Sequence, residues 1–166
     1  MNKSLIALAL GIASLAAPMF AQAEESKLVP FPHGYRNWYH NHMQVNHTGF
    51  AMEAQQGIQA TYANALALEG LKTGKYEDGA TFAMDRFEFV NGGDHTIKPG
   101  KRKVLSVMVK DTANHPDTGG WAFEAFKGGD PDQRVVTNTM KDNGKTCFSC
   151  HAPFQSQNYV IETLVK

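Results

Sequence analysis

The chain has 166 residues, with sixteen Lys and Arg set against sixteen Asp and Glu. That balance leaves no basic footprint for nucleic acid or anionic lipid, and the length is typical of one domain. Only two cysteines are present, so any thiol chemistry rests on a single pair.

Met1-Asn2-Lys3 is a short cationic start, Ser4 to Phe20 is uncharged and mostly small or apolar, and Ala21-Gln22-Ala23 is a small-residue cleavage signature. The pattern predicts a secretory signal peptide over residues 1–23 and a mature periplasmic domain over 24–166. Gly11 and Pro18 interrupt the apolar run, which is short for a membrane span, so no membrane association is expected after cleavage. Without Lys3, fifteen positive charges face sixteen negative ones, a net near −1 with histidines neutral.

Pro30 to Gly34 reads as a punctuated entry segment, and Tyr35 to Val45 is rich in aromatics and histidines. His40, His42 and His47 lie near Met43, and His40 and His42 would share a face if that stretch is a strand, as part of a second metal site, as a distal acid/base group or as surface or interface histidines. Gly57 to Ala63 predicts a strand with Ile58, Ala60 and Tyr62 on one face. Asn64 is an N-cap candidate for a helix over Ala65 to Lys72, closed by Gly74, and Asp78-Gly79 marks a turn. Ala80 to Val90 predicts a strand whose apolar phase slips near Asp85-Arg86, through a bulge or burial on both faces. Asn91 to Asp94 is a loop. Lys103 to Lys110 is the clearest strand, with Leu105, Val107 and Val109 facing one way. Gly119-Gly120 opens another, with Trp121 and Phe123 on one face and Phe126 beyond, and Gly128 to Pro131 breaks it. Asn158 to Val165 fits strand or helix. The sum is an α+β fold on an antiparallel sheet with a few short helices.

Near the C-terminus, Cys147-Phe148-Ser149-Cys150-His151 matches C-x-x-C-H, the attachment pattern of c-type haem. Two thiols at this separation add across the two haem vinyl groups, and the following histidine binds the iron from the proximal side. A zinc site lacks a second cysteine pair, a thioredoxin-like dithiol expects a βαβ context, and a disulfide across so small a loop gains little. The pattern with an export signal therefore indicates one covalent haem c on Cys147 and Cys150, with His151 as metal ligand. No methionine follows His151, so an axial one would come from Met43, Met52, Met84, Met108 or Met140. Met84 and Met108 lie in apolar strands where core packing is the default. An open distal site is the expectation, and a six-coordinate electron carrier the alternative.

Further motifs accompany the haem pattern: Tyr62-Ala63-Asn64 with Ala67 and Gly70, Thr73-Gly74-Lys75-Tyr76-Glu77-Asp78-Gly79-Ala80, Val107-Met108-Val109-Lys110-Asp111 and Thr118-Gly119-Gly120-Trp121-Ala122-Phe123-Glu124. In this order, over most of the mature chain, the set resembles the cytochrome P460 family, which includes the β-sheet cytochromes c′. The resemblance implies an antiparallel sheet carrying haem, a homodimer and five-coordinate iron. It also implies either of two activities. Cytochromes P460 proper oxidise hydroxylamine and bear a lysine crosslink to the macrocycle. The β-sheet cytochromes c′ lack it and bind nitric oxide or carbon monoxide, as binder or sensor. The partners implied are a small nitrogenous or diatomic ligand and a soluble electron-transfer protein.

Lys72 is the candidate crosslink, against a solvated charge at a helix C-terminus. Glu88, Glu124 and Asp85 are candidate distal bases for oxidising hydroxylamine, each also readable as a solvent-facing carboxylate. Arg86, Lys101, Arg102 and Lys103 are candidates for the haem propionates. Phe50, Phe82, Phe87, Phe89, Trp121 and Phe123 read mainly as core, one or two of them lining the distal pocket.

Overall fold

The computed structural model describes residues 28–135 and 145–164. The expected signal peptide, Met140 and Val165 lie outside the described residues. Five strands form one antiparallel sheet in sequence order: β1 (Tyr39–Asn46), β2 (Gly57–Ala63), β3 (Thr81–Asn91), β4 (Ile97–Lys110) and β5 (Trp121–Lys127). Among the described residues two short α-helices accompany it, α1 (Ala65–Thr73) between β2 and β3, and α2 (Lys145–His151) near the C-terminus. No helix among the described residues is long and apolar enough to cross a membrane.

Each strand pairs antiparallel with the next in the chain: a short loop joins β3 to β4, longer connections join β1 to β2 and β4 to β5, and α1 lies between β2 and β3. α1 forms where capping directs it. Asn64 Oδ1 accepts the Ala67 N–H at 2.8 Å, and Gly74 takes the left-handed conformation (φ 74°) while donating to the Gly70 carbonyl. β4 begins six residues before the predicted Lys103. The phase slip in β3 has two sources. Asp85 and Arg86 are both buried, on opposite faces, and the register against β4 shifts just beyond them, between Arg86 and Phe89. Asn158 to Leu164 is neither strand nor helix; after a turn it runs as an irregular segment.

Each face of the sheet is covered. On one, Val29 and Tyr35 of the N-terminal segment pack against Ala83, Leu105, Val107, Ala122 and Phe126. On the other, Ala67 of α1 and Val160 of the C-terminal segment pack against Phe82, Met108, Trp121 and Phe123, with Tyr76, Cys147 and Phe148 beside them. The lining of this second face departs from expectation at β2. Its strand bounds are as predicted, but Gln59, Thr61 and Ala63 are buried while Ile58, Ala60 and Tyr62 are only half-buried. The polar face is the inner one because the C-terminal segment lies over it.

Candidate functional site

α2 carries the two cysteines three residues apart, one helical turn, so both face the same way. Both are thiols rather than a disulfide, and both line a cavity of about 650 Å³ between the C-terminal segment and the sheet. Ser149, between them, donates its hydroxyl to the Thr146 carbonyl at 2.8 Å on the outer side.

His151 closes α2 and lines the same cavity. Its Nδ1 is 2.8 Å from the Tyr159 carbonyl oxygen. A carbonyl can only accept, so Nδ1 carries the hydrogen and Nε2 keeps its lone pair. Burial lowers the imidazole pKa, the Tyr159 carbonyl working against that, and the neutral form is favoured. Metal-binding histidines are prepared in this way, the second ring nitrogen fixed by a carbonyl. The carbonyl is itself held by unusual backbone: Asn158 (φ 53°) and Tyr159 (φ 63°) are consecutive left-handed residues. Such non-glycine conformations persist only where surroundings impose them. Here Trp121 Nε1 donates to the Asn158 carbonyl at 2.9 Å, and Phe148 packs on the Tyr159 ring at 5.1 Å between centroids.

The sheet supplies the facing wall by register. Thr61 pairs with Met84, Gln59 with Arg86, Phe82 with Met108, and Met108 with Phe123, so these side chains share one face. Phe82, Met84, Met108 and Phe123 form the apolar part of the cavity; Gln59, Thr61, Arg86 and Glu162 form the polar part. Glu162 Oε1 accepts from the Thr61 hydroxyl at 2.9 Å, and Asn41 Nδ2 lies 3.5 Å from Oε2. The volume is that of a cofactor pocket. Two thiols and an imidazole with Nε2 available, on one wall of such a cavity, fit a covalently held haem. Among the described residues no three His, Cys, Asp or Glu side chains gather as a metal cluster.

Several candidates stand elsewhere. Asp85 is 1% exposed but faces the N-terminal segment, where Oδ2 accepts from Tyr35 at 2.6 Å and from Arg36 at 2.9 and 3.1 Å. Arg102 Nε lies 3.2 Å from Oδ1 as an ion pair off the hydrogen-bond line. Asp85 is neither a solvent-facing carboxylate nor a cavity base. Glu124 belongs to the cavity wall, yet it is buried, and its carboxylate is engaged by Arg134 at 2.9 Å and by the Ala125 N–H at 2.9 Å. Glu88 is exposed and does not line the cavity. Lys72 is about half exposed and lies 3.5 Å from Glu69 on the outside of α1.

The histidine expectation needs correcting. A bulge at Asn41 pairs His40 with Tyr62 but His42 with Thr61, so the two occupy opposite faces. His40 packs on Tyr62 at 5.3 Å, while His42 Nδ1 approaches Glu162 at 4.0 Å; His47 stacks on Phe89. Of the basic candidates only Arg86 lines the cavity: Arg102 is on the Asp85 face, Lys103 Nζ donates to the Gln56 carbonyl at 2.9 Å, and Lys101 is exposed. Met52, Met84 and Met108 line the cavity, and Met43 is 63% exposed. Phe82 and Phe123 line it too; Phe50 is exposed, Phe87 lies between Arg36 and Arg102, and Trp121 is wholly buried beside Tyr76. Sequence reasoning missed Gln59, Thr61 and Glu162. The alternation of β2 carried a signal for the first two, since its polar residues share one face, but that face reads as solvent until something covers it.

The family model described as Cytochrome P460 matches residues 32–162, which takes in the sheet, both helices and the Glu162 carboxylate. No curated protein matches the chain.

Proposed function

The chain belongs to the cytochrome P460 family, and from that premise we propose an exported mono-haem c protein whose open iron face binds a small diatomic gas, nitric oxide or carbon monoxide. Cys147 and Cys150 would hold the haem through thioether bonds and His151 Nε2 would be its proximal ligand. When bound, the haem supplies a redox-active iron with one position for a small ligand. The chain's own residues do the rest. The Tyr159 carbonyl orients the His151 ring, and Phe82, Phe123, Met84 and Met108 keep water from the apolar end of the cavity. A neutral diatomic ligand needs no charged partner there.

One observation carries the gas-binding reading: among the described residues no lysine lines the cavity. Lys72, the candidate for a macrocycle crosslink, is solvated beside Glu69. The reduced protein is expected to show a broad high-spin spectrum without a red shift, and to shift stoichiometrically with carbon monoxide. Sharp α and β bands would mean that a methionine such as Met84 closes the iron, and would replace this reading with the electron carrier. An intact mass lacking one haem above the mature chain would remove the haem reading altogether.

Glu162 favours a second reading. Oxidation of hydroxylamine requires N–H protons to leave as electrons do, and Glu162 is a cavity carboxylate with His42 4.0 Å behind it toward solvent. Hydroxylamine turnover with an added electron acceptor, abolished by Glu162→Gln, would displace gas binding as the function. A homodimer and a soluble electron-transfer partner belong to the same proposal.

A further inference from the structure

Asp85 and Arg86 are neighbours in β3, and alternation sends them to opposite faces of the sheet. Both are more than nine-tenths buried. Asp85 has Tyr35, Arg36 and Arg102 around it. Among the described residues, no carboxylate pairs with Arg86. Its Nε and Nη2 donate to Gln59 Oε1 at 3.1 and 2.6 Å, and Nη1 reaches the Ala54 carbonyl at 3.5 Å. These neutral acceptors orient the guanidinium without neutralising it. Burial lowers its pKa with no acid to oppose the effect. Of the carboxylates near the cavity, Glu124 is held by Arg134, and Glu162 is engaged by Thr61 and Asn41 and makes no ion pair with Arg86. An unpaired buried charge costs several kcal/mol, and proteins seldom retain one without a partner.

We infer that Arg86, steadied by Gln59, is an oxyanion clasp inside the cavity that takes a carboxylate or an anion of the same planar shape. The guanidinium presents a fork of donors matched to two such oxygens. Two sources could supply that chemistry: a propionate of the haem, in which case the inference rests on the proposed cofactor, or a free small oxyanion entering from solvent. Nothing else described in the cavity offers a second cation to share the ligand.

The test uses the full haem-loaded protein, wild type beside Arg86→Gln and Arg86→Lys, with intact mass read first. Should the wild type carry no haem, the cofactor reading fails by itself, and calorimetry with nitrate still decides the clasp. For a propionate, Arg86→Gln lowers the haem reduction potential, because loss of a positive charge favours the oxidised iron. The potential then also becomes pH-dependent as the released carboxyl, no longer held ionised by the guanidinium, titrates. Nitrate has no effect in that case. For a free anion, nitrate binds the wild type saturably and about tenfold or more weaker in Arg86→Gln, the worth of one or two charge-assisted hydrogen bonds. Arg86→Lys keeps the charge and lies between. An Arg86→Gln protein with unchanged potential and pH profile, and a wild type that ignores nitrate, overturns the inference.

Discussion

Replacing Asp85 with Asn separates a structural carboxylate from a catalytic one. The wild-type side chain accepts from Tyr35 at 2.6 Å and Arg36 at 2.9 Å and pairs with Arg102 at 3.2 Å. Breaking a buried ion pair from one side costs about 3–5 kcal/mol. The Arg36 side chain is 51% exposed and can return to water, so its share is that of a surface pair, at most about 1 kcal/mol. Arg102 is 22% exposed and stays largely desolvated without its acid, whereas Asn keeps an acceptor for the Tyr35 hydroxyl. The loss should therefore fall near the lower bound, about 3 kcal/mol, or about 10 °C in Tm for a domain of this size. Chemical denaturation of the haem-loaded protein followed by circular dichroism measures it, alongside carbon monoxide affinity in the folded variant. A cost under about 1 kcal/mol, or an intact fold with altered affinity, would refute the placement of Asp85 and return it to the ligand site.

Other outcomes follow from the same geometry. Burial, and then the hydrogen bond to Asp85, push the Tyr35 phenol up to about 12. A pKa raised above the unfolded value of about 10 stabilises fully below pH 10 and is lost as pH climbs toward 12. Tyr35→Phe should flatten the alkaline stability loss in that window without abolishing it, since burial also pushes Tyr76 up to about 12. Lys72→Ala should leave the intact mass and haem spectrum unchanged and stability within about 0.5 kcal/mol; an altered spectrum would revive the crosslink. Gly119→Ala would place a Cβ 2.0 Å from the Tyr159 ring at φ +64°. It should destabilise by more than about 2 kcal/mol and disturb the iron spectrum through the Tyr159–His151 bond. A normal spectrum in that variant would mean the carbonyl does not govern His151.

The local features were readable because their causes are local. Asn64 caps α1 and Gly74 ends it as their backbone preferences direct, and Trp121 and Phe123 share the face that alternation assigns them. Glu124 and Asp85 misled for the opposite reason. A carboxylate in a strand reads as solvent-facing, and only the chain crossing outside the sheet, with Tyr35, Arg36 and Arg134, makes those positions interior.

The C-x-x-C-H spacing, the strand periods and the ordered family motifs were determined by the sequence itself, since each depends on residues close along the chain. Tertiary structure alone decided which face of β2 is inner, that a one-residue bulge parts His40 from His42, that Arg86 faces the cavity while Asp85 turns away, and that Tyr159 holds His151. Those depend on register and on which segment covers each face. Contacts between residues as far apart as Asn41 and Glu162 close long loops, and their entropy is offset only when the whole sheet assembles.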